Sequence, residues 1–349
     1  MNEIIILGFS LVLLLFLFFK GFVKEYNTID ASTYFSKSQT DWLRGVAIVG
    51  IIYSHYLSIN ASWSWQIGFL GIFGVAIFLF LSGYSAMFSF VNKPNYLKKY
   101  IPKRLVRLYI PFIIVYIIYS IVLLISGYQF TIWDFVKMPV MSLPRTLNWY
   151  LKVQLALYIV FYVIAKFSKK KNNVPLILLP ICIIYMIIGM IMGLNFYWYE
   201  SSFMFPLGML FALYREKVFN FLNNKYVLKL IISFFVFALS YLGVFLYGGV
   251  LCEIIFIVGF MQFLTMLCVR FKGNSKMSIL LGTISIDLYL THTMVPTFVK
   301  LFYSGEINII SYIVTLLIAF FAAFAVSKFS KILSDKLLKN IEKVNKKSI

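Results

Sequence analysis

The chain contains two histidines, His55 and His292. Both fall in stretches apolar enough to cross a bilayer. Imidazole is the side chain best suited to moving a proton near neutral pH. An ionisable group inside a membrane is costly enough to mark a candidate functional site. Arg44 stands eleven residues before His55. At 100° per residue, eleven helical steps return a side chain to within about 20° of its starting azimuth. The 1.5 Å rise separates the two by roughly 16 Å. A helix over 43–60 would therefore hold a fixed cation at the membrane rim, in line with a titratable ring near mid-bilayer. That arrangement suits a long ligand with an anionic head and a reactive far end.

His292 closes the run Ser285-Ile286-Asp287-Leu288-Tyr289-Leu290-Thr291-His292. Ser285, Tyr289 and His292 are spaced i, i+4, i+7, which makes one helical stripe. Asp287 either orients a partner, lines a wet cavity or packs against a polar neighbour. A basic cluster, Lys98, Lys99, Lys103, Arg104 and Arg107, precedes Tyr109 and Pro111. Arg104 and Arg107 share a face at i, i+3. They serve either as membrane anchors or as phosphate ligands, since guanidinium matches phosphate bidentately.

The elements that carry these residues follow from composition. Of 349 residues, 62% are hydrophobic and 13% charged, and mean hydropathy is +0.90. A soluble domain of this size needs more polar surface. The apolar runs are continuous rather than alternating, so they predict helices and not a barrel. The expected fold is an all-α integral membrane protein without a soluble domain. Its expected spans, about eleven by length, are 3–23, 43–60, 68–91, 107–127, 147–167, 174–194, 196–214, 227–247, 249–269, 278–302 and 307–329. The first run lacks a basic leader (Met1, Asn2, Glu3) and a small-residue cleavage site, so it reads as a retained span.

The net charge of +20 sits in short loops between apolar runs and forms no nucleic-acid-binding patch. All Lys and Arg except Lys137, Arg145, Lys152 and Lys300 fall on one side of the predicted bundle. The positive-inside rule then predicts a cell-membrane protein with its N-terminus outside and C-terminus in the cytoplasm. Cys182, Cys252 and Cys268 have no ligand spacing and read as small buried residues. No metal is expected.

Several motifs in order resemble the membrane acyltransferase-3 family. Arg44-x10-His55, preceded by Asp41 and Leu43, resembles its signature. Gly71-Ile72-Phe73-Gly74-Val75 with Phe80-Leu81-Ser82-Gly83-Tyr84 resembles its "G-x-x-G … F-x-L-S-G-F" span. Lys103 to Pro111 resembles its basic "R-R-x-x-R-I-x-P" turn, Asn148-Trp149-Tyr150-Leu151 its "W-F-L", and Ile284 to His292 its "I-S-Y-S-L-Y-L-x-H". The resemblance covers about residues 38–330. It implies an integral membrane O-acyltransferase, most often moving acetyl from acetyl-CoA to hydroxyls of a cell-surface polysaccharide or lipid-linked glycan. It departs from the family pattern at Asp287, where a small or hydroxyl residue is common. Lys152 and Gln154 also leave the region after Trp149 without an acid, and no hydrolase-like domain is appended.

The resulting expectation divides the chain into an extra N-terminal helix and link (1–30), an acyltransferase-like membrane domain (31–335) and a basic tail (336–349). Arg44, Arg104 and Arg107 would bind the CoA phosphates. His55, His292 and Asp287 would be catalytic, and Trp149, Tyr289 and Ser285 would bind the acceptor. A glycan or acyl-group exporter is the alternative, weakened by the lack of paired, broken half-repeats.

Overall fold

The structure, a computed structural model, describes residues 30–60, 64–144, 149–271, 275–302 and 309–347, with Gly8 and Val12 before them. The expected span 3–23 otherwise lies outside the described residues. Among the described residues every regular element is helical. Helix α1 spans Lys37–Asn60, α2 Ser64–Asn92, and α3 Tyr100–Ile125 after a 3-10 turn at Tyr96–Lys99. The short α4, Ile132–Val136, leads to α5, Trp149–Phe167, and α6, Asn173–Ile191. Helices α7 (Met204–Leu213) and α8 (Arg215–Asn223) precede the long pair α9 (Tyr226–Tyr247) and α10 (Val250–Leu267). Three short helices follow, α11 Lys276–Thr283, α12 Ser285–Thr291 and α13 Met294–Phe302, and α14 spans Ile309–Lys347.

Seven helical stretches among the described residues are long and apolar enough to cross a membrane: Phe69–Asn92, Tyr96–Ile125, Trp149–Phe167, Asn173–Ile191, Tyr226–Tyr247, Val250–Leu267 and Ile310–Ile341. The protein is therefore an all-α, multi-pass membrane protein, and the expected count of eleven is not confirmed among the described residues. Helix α1 is long enough, but Asp41, Arg44, Ser54 and His55 dilute its apolar content. The expected span 196–214 is interrupted at Tyr199–Phe203, leaving the ten-residue α7. The expected span 278–302 breaks at Ile284 and again at His292, giving three pieces.

The chain divides into two compact units. The first comprises Ser10–Pro94 and Val163–Thr283. Its centre is α1, which buries residues on every face, including Trp42, Leu43, Ile48, Ile51 and Tyr53. A helix buried all round turns its polar residues into protein rather than lipid. Gln39 is fully buried and ties down the start of α1. Its Oε1 accepts the Phe35 N–H at 2.7 Å, and its Nε2 donates to the Cys268 and Phe271 carbonyls at 3.1 and 3.0 Å. Nearby, the Tyr34 hydroxyl donates to the Thr265 carbonyl at 2.8 Å.

Two close helix crossings complete this unit. Helix α11 lies so near α1 that a Cβ on Gly45 would strike the Ser278 carbonyl, and one on Gly282 the Asp41 carbonyl. Gly83 of α2 and Gly208 of α7 meet the Phe205 and Phe80 carbonyls in the same way. The obstructing atoms are backbone, so neither crossing can give way locally. Small residues at such contacts are what let membrane helices pack backbone to backbone. Gly282→Ala should cost about 1–3 kcal/mol through overpacking. The expected readout is a lower melting temperature of the purified protein in detergent, and an unchanged value would refute the close crossing.

The second unit comprises Met1–Phe9, Asn95–Tyr162 and Ile284–Ile349. Within it, α3 packs against α12, α13 and α14, and α12 and α13 also pack against α14. Helix α14 continues unbroken past residue 335, so the tail expected at 336–349 begins inside a helix.

Candidate active site

In the first unit, α1 runs without a break from Lys37 to Asn60, so Arg44 and His55 share one rigid rod. Arg44 is half-buried. Its Nη1 donates to Asp41 Oδ1 at 2.7 Å, one turn back on α1, and its Nη2 to Ser85 Oγ of α2 at 3.2 Å. Asp41 thus fixes the guanidinium from its own helix and Ser85 fixes it from the neighbour. A guanidinium has five N–H donors, so this anchoring leaves others for a ligand. His55 is half-buried towards the other end of the same helix. Next to it Ser54 is buried, facing α2 where Gly71 leaves room for its hydroxyl.

In the second unit, Arg104 lies among tyrosines. Its guanidinium sits 4.7 Å from the Tyr158 ring centroid and 5.4 Å from that of Tyr100. Tyr96 and the Tyr158 hydroxyl add hydrogen-bond contacts, the latter at 3.5 Å. Among the described residues no carboxylate pairs with it, whereas Arg44 pairs with Asp41. Ring faces orient a cation without neutralising it, so Arg104 keeps its charge. Arg107, one turn on, is exposed.

The same unit gathers the aromatic start of α5 and the end of α12. Trp149 and Tyr150 lie edge to face at 6.2 Å, and Tyr150 meets Tyr289 edge-on at 5.2 Å. The Tyr289 and His292 ring centroids are 5.4 Å apart. His292 Nδ1 lies 2.5 Å from the Tyr289 carbonyl oxygen. A carbonyl only accepts, so Nδ1 is the donor, and a neutral ring then carries its lone pair on Nε2. That is the tautomer of a base.

The structure therefore brings together Trp149, Tyr289 and His292. Ser285 is buried one turn before Tyr289 on the same helix. Asp287 stands apart from this stripe. It lies two positions from Tyr289, about 200° around α12, and its carboxyl bonds Ser327 and Ser330 of α14. It is 3% exposed, and its Oδ1 is buried without a partner. Of the roles open to Asp287 from sequence, packing against polar neighbours matches this setting.

Four features escaped the sequence reading. The Tyr100–Arg104 contact follows i, i+4 spacing and was legible, whereas Tyr158 arrives from another helix. Ser85 carries no signal of its own. Gln154 is 2% exposed and accepts the Tyr150 hydroxyl on Oε1 at 3.0 Å. Glu200 and Glu253 interact in the first unit, and each has a buried Oε2 without a hydrogen-bond partner. Glu253 lies inside an apolar run and could have been flagged as an intramembrane ionisable group.

No curated protein and no solved structure matches the chain. Residues 37–328 match the profile of the acyltransferase-3 family, described as an acyltransferase domain. That stretch starts with α1 and ends within α14, so it contains both candidate histidines and all three candidate arginines. With so much of its length inside the match, the chain belongs to the acyltransferase-3 family and is an integral membrane acyltransferase that takes an acyl group from a donor to an acceptor.

Proposed function

We propose that the protein is an O-acetyltransferase that moves acetyl from cytoplasmic acetyl-CoA to a hydroxyl of an envelope polysaccharide. The carrying observation is the unbroken α1, which holds a braced cation and an imidazole roughly 16 Å apart near one azimuth. Arg44 would take CoA phosphate, while Arg104 and Arg107 are further phosphate anchors. The thioester would reach His55, whose imidazole accepts the proton of the acceptor hydroxyl as its oxygen bonds to the acyl carbon. The C–S bond then breaks, and the departing CoA thiolate recovers that proton. Acyl transfer through the imidazole itself uses the same residues in two steps. His292, with Nδ1 tied to a carbonyl, supplies the second base-competent ring, and Trp149, Tyr289 and Ser285 serve the acceptor.

The proposed orientation places the lysine-rich loops and the C-terminus in the cytoplasm and the 128–146 connection outside. It predicts that a cysteine introduced at Lys170 reacts with a membrane-impermeant maleimide only from the cytoplasmic face, and one at Phe130 only from outside. Reaction of residue 170 from outside would overturn the orientation. The function itself is tested by incubating membranes that contain the protein with radiolabelled acetyl-CoA. Label should appear in the envelope polysaccharide and be released by mild base, as an ester is. Absence of transfer relative to membranes lacking the protein would refute the reading.

A further inference from the structure

We propose that Gln154 binds the acyl acceptor, donating a hydrogen bond from its side-chain amide to a hydroxyl oxygen of the glycan. This rests on the function proposed above and names a residue for its acceptor half. Gln154 lies one turn into α5, directly above Tyr150. Its amide is held by one oxygen. Oε1 accepts the Tyr150 hydroxyl at 3.0 Å, and Tyr150 is itself lodged against Tyr289, which packs on His292. The amide is therefore oriented by a chain of contacts leading to a candidate base. Its Nε2 is buried and has no hydrogen-bond partner among the described residues.

A buried amide nitrogen with two unused donors is among the defects that folded proteins avoid. The Tyr150 hydroxyl accounts for the amide oxygen and leaves the nitrogen unexplained. The amide therefore earns its place by meeting an acceptor atom that the chain lacks. A neutral amide suits a neutral oxygen; an anion is better met by the guanidinium groups present elsewhere. Tyr150, which holds the amide, packs edge to face against both Trp149 and Tyr289, so the contacts that lead away from the amide are aromatic. Apolar walls with one oriented polar group are the usual make-up of a site for a neutral ligand. A sugar hydroxyl beside apolar C–H surface has that chemistry.

The donor's thioester carbonyl offers the same acceptor oxygen, and the experiment separates the two. Wild-type protein, Gln154→Met and Tyr150→Phe are purified into nanodiscs. Surface polysaccharide from the host cells and acetyl-CoA serve as probes. Direct binding of the polysaccharide is measured first, then KM for each substrate. Gln154→Met keeps the volume but removes the donor, and should raise both Kd and KM for the polysaccharide about 5- to 150-fold. Its KM for acetyl-CoA should stay at the wild-type value, which a loss of fold would not allow. Tyr150→Phe leaves the amide present but unanchored and should raise the same constants by less. Unchanged polysaccharide Kd in both variants overturns the proposal. So does a fall in kcat with polysaccharide binding intact, which would assign the amide to the acyl carbonyl. Binding is read without catalysis, so a wild-type protein that binds polysaccharide but transfers no acetyl would refute the proposed function and leave this test standing.

Discussion

His55→Gln should reduce acyl transfer by 10²- to 10⁴-fold, the range typical for loss of a general base. Glutamine keeps much of the shape and some of the hydrogen bonding of imidazole, yet it cannot accept a proton. His55→Ala should be equally inactive. The backbone of α1 is held independently of this residue by Gln39, Tyr34 and the Gly45–Ser278 crossing, so the variants should still fold. The check is acetyl transfer by purified variants in nanodiscs, with unfolding temperature measured alongside. More than about a tenth of the wild-type rate in His55→Gln would lie far above what base removal leaves. The role would then pass to His292, whose Nδ1 is already engaged with the Tyr289 carbonyl.

Arg44→Ala should raise KM for acetyl-CoA about 10- to 150-fold, as expected for loss of one charged hydrogen-bond contact of about 1.5–3 kcal/mol. The phosphate end lies far from the bond being broken, so the loss should fall on KM more than on kcat. Asp41 and Ser85 now aim the guanidinium, and this adds a sharper expectation. Arg44→Lys should recover only part of the affinity, because an ammonium cannot hold both of those contacts and still present a planar fork to phosphate. Initial-rate measurements over a range of acetyl-CoA concentrations decide it. A wild-type KM in Arg44→Ala would remove Arg44 as a phosphate anchor.

The Arg44–His55 pairing was legible from the sequence because both residues belong to one helix, where azimuth and rise follow from residue number alone. The Ser285–Tyr289–His292 stripe was legible for the same reason, and the structure sets the Tyr289 and His292 rings together. The surroundings of Arg104 were only half legible. Tyr100 is one turn away on the same helix, but Tyr158 comes from α5, and no local rule connects them. The role of Asp287 was open in the sequence because α14, which supplies Ser327 and Ser330, lies some forty residues further along.

By itself the sequence determined that the protein is helical and embedded in a membrane. Long apolar runs leave the backbone no partner but itself, and that constraint acts segment by segment. Its ordered motifs likewise pointed to the acyltransferase-3 family, which the match over residues 37–328 bears out. Only the tertiary structure decided how many of those runs are continuous. Hydropathy measures the transfer of side chains and is blind to backbone direction, so the breaks at Tyr199–Phe203, Ile284 and His292 left no trace in it. Only the tertiary structure, too, revealed which polar groups are satisfied. Arg44 found Ser85 of α2, Asp287 found two serines of α14 yet kept one oxygen without a partner, and the Gln154 amide nitrogen found nothing, because hydrogen bonding between helices depends on which of them become neighbours.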